Sequence, residues 1–197
     1  MRMPAVAAMI AALTVPAHAG SIVIHDVVGV YPNDGNVTVP GYGQPWATPI
    51  LFDGMVVFCN DLDHNVYVGG GQNLEYVYAP LGTDAKSARE GWLTRIGTDY
   101  YYSGNVNAAI AAQAEIWATQ YNVVATSTNA AVENYIVQFS GTPTPDGVYA
   151  VQLLSSQGYQ SQLTAIPELS TWAMMLVGLG SLGMVAAQRR KTAKAIV

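Results

Sequence analysis

The chain has 197 residues, 13 acidic and 8 basic side chains, a net charge of −5 and a single cysteine. One cysteine excludes an intramolecular disulfide, and the scarcity of basic residues argues against a nucleic-acid partner, because phosphate binding requires clustered Lys and Arg. The length is sufficient for one domain with its own core.

The first 19 residues have the pattern of a cleavable secretion signal. Arg2 provides a basic start, residues 5–15 are mostly aliphatic, and Ala17 and Ala19 are the small residues expected before a cut after Ala19. The apolar stretch is too short to span a bilayer, which takes about 20 residues. We therefore predict a signal peptide over residues 1–19; the alternative is a buried N-terminal helix of the domain.

Residues 21–68 alternate short β-prone stretches with Gly, Pro, Asn and Asp. This alternation predicts an antiparallel β region, either a sandwich or a small barrel. The Asp53-Gly54 pair between two apolar stretches is the strongest hairpin signal. The β-prone stretches are 22–24, 27–31, 37–39, 50–52, 55–58 and 66–68.

The hydrophobic pattern then changes to helical spacing. Thr83 is the candidate N-cap of the first helix. Apolar residues at intervals of three and four predict an inserted segment of three helices, over 84–100, 105–121 and 129–139.

A final strand is predicted over 148–154, followed by a Gln- and Ser-rich polar linker over 155–166. The fold class is therefore α+β, with an ectodomain over residues 20–154. Residues 20–168 contain all 13 acidic side chains but only Lys86, Arg89 and Arg95 of the basic ones, so this part carries a net charge of −10. Such acidity favours solubility outside the cell.

The C-terminal residues have the pattern of a membrane-anchored tag. Pro167, Glu168 and Leu169 precede a largely apolar stretch over 171–187, which predicts a short transmembrane helix. The basic cluster that follows should stay in the cytoplasm, which leaves the ectodomain outside. The basic residues are Arg189, Arg190 and Lys191.

These residues resemble the PEP-CTERM sorting signals of Gram-negative bacteria. Members of that family end in Pro-Glu-Pro, a short transmembrane stretch and an Arg-rich tail, and Leu169 departs from the pattern at its third position. The resemblance implies export through the inner membrane, anchoring by the C-terminal helix and processing by an exosortase-type enzyme. The mature protein would then belong to the cell envelope, surface or extracellular matrix. The alternative is an ordinary anchor that is never cleaved.

A single thiol on an exported protein calls for an explanation. Cys59 follows the apolar stretch 55–58, and one interpretation is an inert core residue. The other involves Gln113, which shares a predicted helix face with Ile116 and Trp117. A buried carboxamide must find hydrogen-bond partners or cost a few kcal/mol. Attack of the Cys59 sulfur on the Gln113 carbonyl would release ammonia and leave a buried thioester.

The same residues resemble Gram-positive surface thioester domains, over residues of roughly 50–140. That family has an aromatic residue or Leu before the cysteine, here Phe58, and an apolar-Gln-x-x-apolar-Trp pattern, here Gln113, Ile116 and Trp117. Asn60 departs from the apolar residue common after the cysteine. The resemblance implies a latent thioester that couples to an amine or hydroxyl of an extracellular polysaccharide or surface protein, as a single-use adhesin and not an enzyme.

His64 is a candidate helper for proton transfer during that attack, or a surface histidine without a role. Residues 60–65 space their oxygen ligands like a Ca²⁺ loop, yet Val66 stands where such a loop requires Gly, so no metal or other cofactor is predicted. The rival to covalent adhesion is a non-covalent structural or carbohydrate-binding matrix protein with an inert Cys59.

Overall fold

The computed structural model of the chain describes residues 21–29, 36–66, 68–147 and 150–166. The predicted signal peptide (1–19) and the predicted transmembrane helix (171–187) lie outside these residues. Within the four described segments, no helix is both long and apolar enough to cross a membrane.

The β region is a closed antiparallel barrel of six strands, so the small-barrel form of the prediction is confirmed. The strands in chain order are β1 (Ser21–Gly29), β2 (Val37–Thr38), β3 (Ile50–Phe52), β4 (Met55–Cys59), β5 (Gly69–Pro80), β6 (Thr126–Ser127), β7 (Ala150–Ser155) and β8 (Gln162–Ala165). Around the barrel the order is β1-β3-β4-β8-β7-β5, and β2 pairs with β6 in a separate two-stranded sheet.

The predicted hairpin at Asp53-Gly54 connects β3 to β4. Asp53 and Gly54 have φ values of 47° and 85°, the left-handed conformation that a two-residue type I′ turn requires at both positions. The Asp53 carboxylate also accepts hydrogen bonds from the backbone N–H groups of His25 and Asp26. The turn is therefore tied to β1, the neighbour of β3 in the barrel.

Three helices are inserted between β5 and β7, as predicted: α1 (Ala85–Tyr102), α2 (Val106–Tyr121) and α3 (Ala130–Ser140). The prediction of Thr83 as the first N-cap is wrong. The cap is Asp84, whose carboxylate accepts from the backbone N–H and the hydroxyl of Ser87 and so satisfies a free donor of the first turn. Asn105 and Asn129 cap α2 and α3 through their side-chain oxygens.

Helix α2 is the central element of the helical layer, because every residue from Ala108 to Trp117 is buried. Gly97 of α1 lies where it contacts both α2 and the barrel. A Cβ atom at Gly97 would lie 2.6 Å from Phe58 Cζ and 2.9 Å from Ala112 Cβ. The absence of a side chain at this position lets α1, α2 and β4 approach closely, which seats α2 against the end of β4.

The prediction of a polar linker over 155–166 is wrong. Residues 162–165 form β8, which pairs with both β4 and β7 and closes the barrel, so the ordered domain extends past residue 154. Gln162, Leu163 and Thr164 are buried. A polar residue can occupy such a position when it is hydrogen-bonded, as Thr164 is through its hydroxyl to the carbonyl of Val56.

The strand predicted over 66–68 is also misplaced. Gly69, Gly70 and Gly71, which locally resemble a turn, begin the 12-residue strand β5. Gly70 pairs with Asp26 of β1, and a Cβ atom at Gly70 would lie only 3.4 Å from the Asp26 carboxylate. Pairing with β1 therefore holds these glycines in an extended backbone conformation despite their turn propensity.

Two hydrophobic clusters lie on the two faces of the barrel wall. Val57 of β4 belongs to the barrel interior, together with Phe52, Tyr76 and Leu153. Its neighbours Val56 and Phe58 belong to the cluster between barrel and helices. Cys59, the last residue of β4, lies in this second cluster, where α2 meets the barrel.

Candidate functional site at the barrel mouth

The backbone of Cys59 lies at an edge of β4 that none of the described strands covers. Strand β3 pairs with β4 only up to Val57, so Phe58 and Cys59 extend beyond it. On the other side Cys59 pairs with Gln162 of β8. The Cys59 N–H does not bond to Gln162, which makes this a non-hydrogen-bonded pair whose N–H and C=O point away from β8.

The Gln113 side chain supplies the partners that this edge lacks. The Cys59 N–H donates to Gln113 Oε1 at 2.8 Å, and Gln113 Nε2 donates to the Cys59 carbonyl at 2.6 Å. The carboxamide thus pairs with Cys59 as the peptide group of another strand would. Gln113 is 0 % exposed, so both of its polar atoms are satisfied inside the protein.

The thiol of Cys59 is close to this carboxamide. A cysteine sulfur is three bonds from its own backbone nitrogen and so lies within about 4 Å of it. Because that nitrogen is 2.8 Å from Gln113 Oε1, the sulfur and the carboxamide oxygen are less than about 7 Å apart. The structure therefore brings the two predicted residues together; the covalent bond between them stays a prediction.

Three polar groups surround the sulfur. The indole N–H of Trp117 donates to it at 3.4 Å, and the backbone N–H of Asp61 donates at 3.3 Å. The thiol donates in turn to the Asp61 carbonyl at 3.0 Å. Burial raises the pKa of the Cys59 thiol to about 12, and the bond from Trp117 opposes this rise. The free thiol is therefore protonated at neutral pH.

The other predicted motif residues form the wall around this contact. Phe58 and Ile116 are both 0 % exposed and lie in the cluster between β4 and α2. They contribute packing, whereas Trp117, 2 % exposed, also contacts the sulfur. Asn60 follows Cys59 and is buried too; its side-chain oxygen accepts from the Ser161 hydroxyl, which explains how a polar residue fits there.

Residues 60–66, here called the cysteine loop, are held from several sides. The Leu62 N–H donates to the Tyr121 hydroxyl at 2.7 Å, and Gln160 Nε2 donates to the Asp61 carbonyl at 2.6 Å. The Asp61 carboxylate accepts from the Asp63 N–H and from Nδ1 of His64, at 2.9 and 2.7 Å. His64 is therefore oriented by a carboxylate, while its side chain remains 54 % exposed.

A pocket of about 410 Å³ opens at this end of the barrel. Strand β1 ends here at Gly29, β3 begins at Ile50 and β4 ends at Cys59, because antiparallel pairing brings these strand ends together. Barrel mouths are a recurrent position for ligand sites. The lining includes Cys59, Trp117, His64, Tyr42, Trp46 and Gln160.

Gln160 and Gln162 are site residues that the sequence did not predict. Gln162 lies across from Cys59, is 0 % exposed and donates from Nε2 to Gln160 Oε1 at 3.1 Å. Its Oε1 atom has no hydrogen-bond partner in the part of the chain that the structure describes. The local composition predicts a linker, and the two-residue spacing of these glutamines was the one available signal of a strand.

In the described segments, no group of three or more His, Cys, Asp and Glu side chains is arranged to hold a metal ion. The sorting-motif residues lie outside the described segments; they are Pro167, Glu168, Leu169, Arg189, Arg190 and Lys191.

Comparison with known proteins found no match for this chain among family models, curated proteins or solved structures.

Proposed function

We propose that this protein is an exported surface or matrix adhesin that carries an internal thioester between Cys59 and Gln113. A partner nucleophile opens the thioester and becomes covalently attached, once per molecule, without turnover. The observation that carries the proposal is the pairing of the fully buried Gln113 carboxamide with the backbone of Cys59. It holds an acyl group next to the only thiol of the chain.

Formation of the bond is a transfer of the acyl group from nitrogen to sulfur. The Cys59 sulfur attacks Gln113 Cδ, the C–N bond breaks, and the thiol proton leaves with the amide nitrogen as ammonia. Negative charge develops on Oε1 in the tetrahedral intermediate. The Cys59 N–H, 2.8 Å from Oε1, is already in place to stabilise that charge.

The surroundings of the sulfur supply the other requirements. Donors from Trp117 and Asp61 favour the thiolate that must attack, against the burial that raises its pKa. The 3 % exposure of Cys59 protects the finished thioester from bulk water. The barrel-mouth pocket, which Cys59 lines, provides a route for the partner.

The proposed location rests on the sequence. A signal peptide over residues 1–19 directs the chain through the inner membrane, and a tag resembling the PEP-CTERM type retains it there until an exosortase-type enzyme acts. The partner is an extracellular polysaccharide or a surface protein. The net charge of −10 on residues 20–168 suits a soluble extracellular domain and not a nucleic-acid binder.

Intact-mass spectrometry of the purified protein tests the bond. The expected mass is about 17 Da below that calculated for the same stretch of sequence with an intact Gln113, which corresponds to the ammonia released. Cys59→Ala and Gln113→Glu should both restore the calculated mass, since each removes one end of the bond. Gln162→Glu is the matched control, because it changes a second buried glutamine next to Cys59 and should keep the deficit.

Full mass in the wild type, together with complete alkylation of Cys59 after denaturation, would refute the thioester. A deficit that disappears in Gln162→Glu and persists in Gln113→Glu would show that the acyl group comes from Gln162 and not from Gln113.

A non-covalent structural or carbohydrate-binding role is the second candidate. The observation in its favour is that Gln113 satisfies the free backbone groups of Cys59 and thus has a structural role without any covalent bond. Covalent adhesion requires the Cys59 thiol, whereas the non-covalent role does not. Adhesion that persists in a folded Cys59→Ser variant supports the non-covalent role, and adhesion lost in that variant supports the thioester.

A further inference from the structure

We infer that the barrel-mouth pocket selects a hydroxyl group of a neutral sugar as the attacking nucleophile, with His64 accepting the hydroxyl proton. The inference rests on the proposed thioester and names the class of partner that opens it. It comes from the composition of the pocket lining and from the position of His64, a residue of the cysteine loop, in that lining.

The lining of the pocket suits an uncharged polyol. Trp46 is 62 % exposed and Tyr42 is 36 % exposed, so two partly exposed aromatic side chains line the pocket. Thr48, Asn65 and Gln160 add neutral hydrogen-bonding groups. A volume of about 410 Å³ lies within the range of small-molecule sites. Aromatic faces combined with a few polar groups match the alternating apolar and hydroxyl-bearing surfaces of a pyranose ring.

Charge argues against an acidic polysaccharide. Among the residues that the structure describes, the lining contains no lysine or arginine, and the cysteine loop adds the carboxylates of Asp61 and Asp63 beside the pocket. With a net charge of −10 on residues 20–168, the domain repels polyanions at low ionic strength. A neutral sugar is unaffected by this field.

His64 provides what a hydroxyl nucleophile needs and an amine does not. An unprotonated amine attacks a thioester directly, whereas a hydroxyl is a weak nucleophile at neutral pH and requires a general base. A carboxylate only accepts hydrogen bonds, so the 2.7 Å contact with Asp61 places the proton of neutral His64 on Nδ1 and leaves Nε2 as the acceptor. His64 and Cys59 line the same pocket.

Asp61 connects the base to the sulfur. Its carboxylate orients His64, and its backbone carbonyl accepts from the Cys59 thiol. In the proposed step the sugar oxygen attacks Gln113 Cδ while His64 Nε2 takes the hydroxyl proton. A C–O bond forms, the C–S bond breaks, and the proton passes to the departing Cys59 thiolate. The products are an ester at Gln113 and a free thiol.

The experiment compares two nucleophiles on the full chain: methyl α-glucoside as the hydroxyl probe and methylamine as the amine probe. Adducts are counted by intact-mass spectrometry over time. We expect both probes to add to the wild type. The variant is His64→Gln, which can still donate a hydrogen bond to Asp61 but has no titratable ring nitrogen. It should lower the glucoside rate by about 100-fold and change the methylamine rate less than about threefold.

Trp46→Ala is the companion variant, because Trp46 is exposed and its loss should leave the thioester intact. It should raise the glucoside concentration needed for half-maximal rate by about tenfold and leave the methylamine reaction unchanged. Equal loss of both reactions in His64→Gln, or methylamine addition without any glucoside addition in the wild type, would overturn the sugar-hydroxyl assignment. Absence of the mass deficit before any probe is added identifies instead a failure of the thioester proposal.

Discussion

Two buried glutamine side chains flank Cys59, one from the helical layer and one from the barrel. Gln113 of α2 and Gln162 of β8 are both 0 % exposed. Gln113 uses its oxygen and its nitrogen to pair with the Cys59 backbone, whereas Gln162 leaves its oxygen unpartnered among the described residues. Burial is therefore the same for both. The difference lies in which backbone groups each carboxamide can reach.

This difference separates two kinds of buried amide. Gln113 replaces a missing strand and has its carbonyl oriented by a backbone N–H, the arrangement that an acyl donor requires. Gln162 is the β8 partner of Cys59, and the N–H and C=O of Cys59 point away from β8. In the described structure its carboxamide therefore reaches only Gln160. Four predictions test this contrast and the packing that produces it.

The thiol between the two glutamines should be almost unreactive in the folded protein when no thioester can form. Gln113→Glu provides that state, since a carboxyl group in place of the carboxamide offers no ammonia to release. With the pKa of Cys59 raised to about 12, alkylation at pH 8 should be roughly 1,000-fold slower than in the same protein unfolded by urea.

Because only the thiolate reacts, the folded-state rate should rise about tenfold per pH unit between pH 8 and the pKa. Alkylation of the folded variant as fast as that of the unfolded chain would show that Cys59 is not held in this buried site. Mass spectrometry of iodoacetamide adducts measures both rates.

Replacing each glutamine by leucine should have unequal effects on stability. In a Cys59→Ala background, which removes any contribution of the thioester, Gln113→Leu leaves the N–H and C=O of residue 59 without partners. The expected loss is about 2–5 kcal/mol in the free energy of unfolding. Gln162→Leu removes an unpartnered oxygen and should stay within about 1 kcal/mol. Urea titration measures both free energies of unfolding. Equal losses in the two variants would show that Gln113 and Gln162 do not differ in the way proposed.

Gly97→Ala tests the packing that brings α2 to Cys59. The added Cβ atom would lie 2.6 Å from Phe58 Cζ, so α1 must shift away from the end of β4 at a cost of about 1–3 kcal/mol. Gly141→Ala is the matched control, because Gly141 has φ of −81° and its added Cβ atom would have no contact closer than 3.5 Å. It should change stability by less than about 0.5 kcal/mol. Thermal unfolding that is equally affected in both variants would contradict this role of Gly97.

Glu90 resembles Gln162 but has an ionisable side chain. Its Oε1 atom is also buried without a partner within the described segments. Burial raises its pKa from 4.5 to about 7. The unfolded chain releases this proton first, so the folded state loses stability as the pH rises from about 4.5 to 7. Glu90→Gln should therefore stabilise the protein by about 1–2 kcal/mol at pH 8 and have little effect at pH 4. A gain of equal size at both pH values, measured by urea unfolding, would exclude this titration.

Local signals in the sequence predicted those parts of the fold that depend on near neighbours. The Asp53-Gly54 turn and the three helices each depend on a few consecutive residues. Strands β5 and β8 were missed, because glycines and glutamines read locally as a turn and a linker. Their extended conformation comes from pairing with β1, β4 and β7, far away in the chain.

The candidate site divides in the same way. The residue pattern around Cys59 and Gln113 was sufficient to nominate the pair, and the hydrophobic helix face predicted that Gln113 is buried. Which atoms meet was decided by the tertiary structure. Strand β3 stops at a position that leaves Cys59 uncovered, and Gly97 allows α2 to fill the gap. Within the cysteine loop, the Asp61 carboxylate bonds to His64 and orients it, and His64 lines the pocket.

The residue order alone is enough to predict an acidic α+β domain with one thiol, one acyl partner for it and two ends that resemble export and sorting signals. The three-dimensional arrangement adds that the β region closes into a barrel, that a second glutamine lies across from Cys59, and that a pocket opens beside the sulfur. Composition and periodicity are local properties, whereas strand pairing and the satisfaction of buried polar groups depend on residues distant in the chain.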